Sequence, residues 1–135
     1  MDFEQDFVTL ATGDIMVSAC QSLFLEEEDH DEVCVYCLRI ENNSDSKIQI
    51  LGKNFNITDS RGNNYTKCGA GFKGEIPELE PGEYFEFEDV APFKANTAVL
   101  YGTCRIKDEE HNKIKDIQIP VLELYANKPL SGILN

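Results

Sequence analysis

The sequence predicts an all-β fold, a β-sandwich of about seven to eight short antiparallel strands, on three observations. Apolar residues recur with a period close to two along most of the chain. Short clusters of Gly, Asn, Asp and Pro separate the alternating segments. No window carries the period of an amphipathic helix. A barrel would satisfy the same periodicity, but many short strands in this length favour two packed sheets. With 135 residues, one core can be filled and two cannot, so 1–135 reads as a single domain.

The clearest strand is Val33 to Glu41, where Cys34, Tyr36, Leu38 and Ile40 share the face expected to be inward. Asn42-Asn43-Ser44-Asp45-Ser46 supplies turn chemistry, and Lys47 to Leu51 resumes the alternation, which predicts a hairpin. A second pair, Asn54 to Thr58 and Asn64 to Cys68, flanks the Asp- and Gly-containing turn 59–63. After the turn Glu80-Pro81-Gly82-Glu83 comes Tyr84 to Glu88, with Phe85 and Phe87 inward and the glutamates outward. Thr97 to Lys107 holds Gly102 in its interior, the mark of a bulge or of a close approach by another segment. Ile117, Ile119 and Val121 form the last alternating set. Ile114 is out of phase, so a bulge near Lys115-Asp116 is expected if it is to stay inside.

Asp and Glu number 25 against 12 Lys and Arg, a net charge of −13. Such a surface repels phosphate backbones and anionic membranes, so neither nucleic acid nor membrane is an expected partner. No stretch reaches the roughly 18 apolar residues of a membrane helix, and the acidic segment 1–6 is unlike a signal peptide. A cytoplasmic location is therefore expected, with the five cysteines kept as thiols.

Four constellations could carry chemistry. Gly69, Gly71 and Gly74 spell GxGxxG, the pattern of phosphate-cradling loops, but that mechanism needs a helix directly after the loop. Pro77 and Pro81 forbid one, and Glu75, Glu78 and Glu80 would oppose an anion that Lys67 and Lys73 attract. A β-connection that uses the glycines for tight turns is the expected reading. Cys34 and Cys37 have CxxC spacing, yet on a strand an odd separation sends the two thiols to opposite faces, away from any shared metal. The acidic run 26–32 with His30 offers oxygen donors without the turn glycine of a calcium loop, so at most weak divalent cation binding is expected. His30 and His111 lie in polar turns with no adjacent nucleophile. No catalytic residue, metal ligand or cofactor site is predicted. The candidate interaction loop is Gly69, Gly71, Phe72, Lys73 and Gly74, with Phe72 either a recognition anchor or a plug of the core.

From Val33 onward the chain resembles the ApaG domain family. Tyr36 to Asn42 is similar to the family's aromatic strand ending in isoleucine-glutamate-asparagine, and Phe55-Asn56-Ile57-Thr58-Asp59 to its tryptophan-x-isoleucine-threonine-aspartate strand. The most specific block runs from Gly69 to Phe87 and resembles the family's GxGxxGxxPxLxPGExFxY core over its whole length. Gly102 and Ile119-Pro120 match a strand glycine and an isoleucine-proline pair. The chain departs at Phe55, where the family has tryptophan, at Lys53-Asn54, where it has arginine-histidine, and at 88–92, where a serine-glycine-cysteine-proline turn is common. It is a divergent member on this reading.

The resemblance implies an immunoglobulin or fibronectin type III-like sandwich, and a GxGxxG that belongs to a β-protein loop. It implies a recognition module in larger eukaryotic proteins, a loose link of bacterial members to cobalt and magnesium tolerance, and no agreed catalytic residues. The leading expectation is a non-enzymatic module that binds an unidentified protein partner. Divalent-cation homeostasis is the alternative, and a phosphate- or nucleotide-binding protein using the Gly69–Gly74 loop comes third.

Overall fold

A computed structural model describes residues 7–22, 25–26, 32–72 and 74–126. Its regular structure is all β. Among the described residues ten strands follow in chain order: β1 (Val8–Thr12), β2 (Ile15–Gln21), β3 (Leu25–Glu26), β4 (Glu32–Asn42), β5 (Ile48–Asp59), β6 (Asn64–Ala70), β7 (Glu78–Leu79), β8 (Tyr84–Ala91), β9 (Thr97–Asp108) and β10 (Lys113–Tyr125). In the first sheet β1 pairs with β2, and β4 pairs with β2, β3 and β8. In the second, β9 lies between β10 and β5, and β5 also pairs with β6 and β7. Every pairing is antiparallel. The chain is thus the expected antiparallel β-sandwich, with two two-residue strands beyond the seven or eight predicted.

The core lies between the sheets. Tyr36, Leu38 and Ile40 from the first sheet, placed inward by the alternation of 33–41, and Phe55, Ile57 and Leu100 from the second are fully buried. Burying such side chains is worth about 1.5–3 kcal/mol each, the main driving force for closing the sandwich. The Tyr36 hydroxyl is buried there without a hydrogen-bond partner, and burial pushes its pKa up. One open side of the sandwich is tied by Gln21, whose side-chain amide donates to the Tyr125 carbonyl at 3.0 Å and accepts from the Tyr125 N–H at 3.0 Å. The side chain acts as a missing strand residue against the edge of β10. On the opposite side Lys67 of β6 reaches Asp89 of β8 at 3.2 Å.

Gly102 meets expectation. Its φ is 147°, and a Cβ there would collide with the carbonyl oxygen of Asn54 and the Cα of Phe55 on β5. Two expectations are corrected. The turn 42–46 does not make a hairpin, because β4 and β5 belong to different sheets. Asn42 directs the crossover: buried, it donates to the carbonyls of Ser46 at 2.8 Å and Leu79 at 3.0 Å and accepts from Ser44 N–H at 3.0 Å. The last strand has no bulge at 115–116. Its register with β9 is unbroken from Lys113 to Ile119, so Ile114 faces solvent, and the irregularity falls between Ile119 and Leu122. That slip exposes Val121 and turns Leu122 and Leu124 inward. β1 and β2 precede the strands predicted, and their alternation is blurred because Met16 and Cys20 put apolar side chains on the outer face.

Candidate functional site

The glycine loop closes the sandwich rather than opening it. Gly71 has φ 71°, and a Cβ there would lie 2.6 Å from the Glu75 carbonyl oxygen, so only glycine lets the loop fold on itself. Gly71 N–H donates to Leu51 O at 2.8 Å, Phe72 N–H to Glu75 O at 2.7 Å, and Glu75 N–H to Phe72 O at 3.1 Å. A phosphate cradle needs these amides free, and here they are spent within the protein. No helix follows; the chain runs into β7 and its pairing with β5. Lys53 Nζ donates to Gly71 O at 3.0 Å and lies 4.8 Å above the Phe72 ring, holding the loop down.

Phe72 is a core residue. It is 2% exposed and stacks edge-on against Phe85 and Phe87, with ring centroids 5.5 and 4.7 Å away, and tilted against Phe55 at 6.4 Å. The anchor reading of its side chain is thereby corrected in favour of the plug. A flexible glycine setting would deny the ring a scaffold, but both sheets supply one from outside the loop. Gly69 lies in β6 opposite Lys53, and Gly74 is exposed in a turn with φ 88°. Lys73 lies outside the described residues.

A different surface is ordered by side-chain hydrogen bonds between neighbouring strands. On the outer face of the second sheet, alternation along β5, β6 and β9 brings Asn56, Thr58, Asn64, Thr66 and Tyr101 together. Thr58 donates to Asn64 Oδ1 at 2.7 Å and lies 3.3 Å from the Tyr101 hydroxyl, while Thr66 donates to Asn56 Oδ1 at 3.3 Å. These side chains are uncharged in a chain of net charge −13. A groove of about 440 Å³ flanks them at one end, lined by Asn54, Cys68, Thr103 and the pair Arg105–Asp116, whose Nε to Oδ1 distance is 2.9 Å. A second hollow of about 400 Å³ lies at the other end, beside Thr58, Val99 and Tyr125. Sequence reading missed this surface. Its signal is legible afterwards as Asn and Thr at alternate positions of neighbouring strands, where asparagine is otherwise rare.

The other constellations stay apart. Cys34 is buried on the inner face and Cys37 half-buried on the outer one, the separation the strand spacing predicted. Burial pushes the Cys34 and Cys104 thiols up to about 12, so both stay protonated. His111 pairs with Asp108, at 2.9 Å. Residues 27–31 of the acidic run, His30 among them, lie outside the described residues. Among the described residues no three His, Cys, Asp or Glu side chains converge as metal ligands, and no helix is long and apolar enough to cross a membrane.

The fold and the loop together define the class, an antiparallel β-sandwich whose glycine-rich connection plugs its own core. The family model described as the ApaG domain matches residues 24–108, and the chain belongs to that family. It is 31% identical over 116 residues to Protein ApaG of Beijerinckia indica subsp. indica, covering 84% of this chain and 88% of that protein. Among solved structures it is similar to the putative ApaA protein from Bordetella pertussis, with TM-score 0.75, 25% identity and coverage of 86% and 96% of the two chains. A structural-genomics X-ray structure with TM-score 0.76 and 19% identity, covering 93% and 94%, shares the fold.

Proposed function

We propose that this protein is a non-enzymatic recognition module that binds a protein partner through the outer face of its second sheet. The observation that supports the reading is the uncharged, internally hydrogen-bonded surface of Asn56, Thr58, Asn64, Thr66 and Tyr101. Protein interfaces lose charged residues at their centres and gain tyrosine, and neutral amide and hydroxyl groups hydrogen-bond a partner at a low desolvation cost. Side chains already hydrogen-bonded to each other also lose less freedom on binding. Net negative charge elsewhere keeps the module soluble and disfavours nucleic acid as the partner.

A photo-crosslinking benzoylphenylalanine at position 101, expressed in the native cell, tests the reading. A discrete crosslinked protein is expected from position 101 and not from position 84, an exposed tyrosine on β8 of the other sheet. Crosslinking from 84 alone, or from neither position, would remove the second-sheet face from consideration.

A further inference from the structure

Cys20 and Cys37 are direct cross-strand partners in the β2–β4 ladder. Val17 and Ala19 of β2 and Tyr36 and Leu38 of β4 turn into the core, so both cysteines face the outer surface of the first sheet. The Ser22 N–H donates to Val35 O at 2.7 Å, two residues along the same register. The alternation of an antiparallel ladder then makes 20 and 37 a hydrogen-bonded pair, with Cα atoms about 5.5 Å apart. Disulfides most often span about 5.5–6 Å between Cα atoms. The Cys20 thiol also donates a hydrogen bond to Cys37.

We propose that Cys20 and Cys37 form a reversible intramolecular disulfide when the protein meets a peroxide. The thiolate of Cys37, the half-buried member, attacks one peroxide oxygen. The O–O bond breaks, the distal oxygen leaves as hydroxide or alkoxide and takes up the proton that the Cys37 thiol released, and Cys37 becomes a sulfenic acid. Cys20, which is 1% exposed and shielded from a large oxidant, then attacks the Cys37 sulfur. The S–O bond breaks, the hydroxyl leaves as water with the Cys20 proton, and the S–S bond forms. Together the thiols lose two electrons and the peroxide gains them.

The surroundings set the character of this bond. Burial and the neighbouring Cys37 push the Cys20 thiol up to about 11. Burial, then Glu86 and Glu88 on β8, push Cys37 up, while the hydrogen bond from Cys20 opposes that rise. Few thiolates exist at neutral pH, so oxidation is slow and needs sustained exposure. Cβ atoms in a hydrogen-bonded cross-strand pair must draw together by about 1 Å to reach disulfide distance, and that strain keeps the bond reducible. Once formed, it closes the chain from 21 to 36 at its base, the segment that carries the acidic run.

The test is incubation of the whole protein with hydrogen peroxide, followed by intact mass, peptide mapping and thermal melting. Expected are a peptide linking Cys20 to Cys37 that is about 2 Da lighter than its two reduced parts together, whatever oxygen Cys68 has gained, and a melting temperature several degrees higher that dithiothreitol returns to the start. Cys37→Ser removes both the link and the shift. Cys20→Ser leaves a folded protein that gains oxygen at Cys37 instead. Because Cys68 is exposed, its oxidation shows that the peroxide has acted. Oxidised Cys68 with no Cys20–Cys37 link, or Cys37 carried to sulfinic acid in the wild type, would overturn the proposal.

Discussion

Replacing Phe72 by alanine separates a core plug from a surface contact by magnitude. The ring is buried against three other phenylalanines and under the Lys53 ammonium. Phe→Ala at such a site costs about 3–5 kcal/mol, the lost transfer energy plus the cavity left behind. Unfolding entropy near about 2.1 cal/mol/K per residue amounts to about 0.28 kcal/mol/K for this length, so the melting temperature should fall by about 10–18 °C. Differential scanning calorimetry reads that fall, and urea titration should show a lower midpoint at unchanged slope. Phe72→Leu keeps much of the volume and should cost about 1.5 kcal/mol. A Phe72→Ala protein that melts within about 2 °C of wild type would refute the assignment of the loop to the core.

Gly102→Ala places a methyl group against the β5 backbone at a φ that side chains avoid, and should cost at least about 2 kcal/mol in urea unfolding; a neutral result would mean that β5 and β9 yield. Tyr36→Phe removes a buried hydroxyl without a partner and should stabilise the fold by about 1 kcal/mol, whereas destabilisation would reveal a hidden acceptor. The hydrogen bond and the charge of Asp108 raise the His111 pKa, and the same contact lowers that of Asp108. The histidine's contribution is therefore complete below about pH 6.5 and lost as pH rises through the raised value, and the carboxylate's is complete above about pH 4 and lost on acidification. An NMR titration of His111 should give a midpoint above about 6.5 that falls in Asp108→Asn; an unchanged midpoint would remove the pair.

Strand identity was legible because period-two alternation is a local property, written wherever one face is apolar and the other polar, as along 33–41 and 84–88. Legibility failed where both faces carry apolar residues, as in β2, and where a register slip re-aims a strand, as at 119–122. The glycine motif is contiguous in sequence, whereas the hydrogen-bonded Asn and Thr surface lies on neighbouring strands. Its residues are brought together only by the β5–β6 and β5–β9 ladders.

By itself the sequence determined the all-β class, most of the strands, the inward sets of 33–41 and 84–88, the need for glycine at 102 and the family blocks from Tyr36 to Phe87, since each follows from side-chain alternation, turn stereochemistry or short-range pattern. Only the tertiary structure decided that 42–46 crosses between sheets, because the same turn residues permit a hairpin and the choice rests on Asn42 reaching the Leu79 carbonyl, 37 positions away. It alone decided that Phe72 is a plug, since Phe55, Phe85 and Phe87 come from two different sheets. It alone set Cys20 against Cys37, since a shift of one residue in strand register would have sent the two thiols to opposite faces.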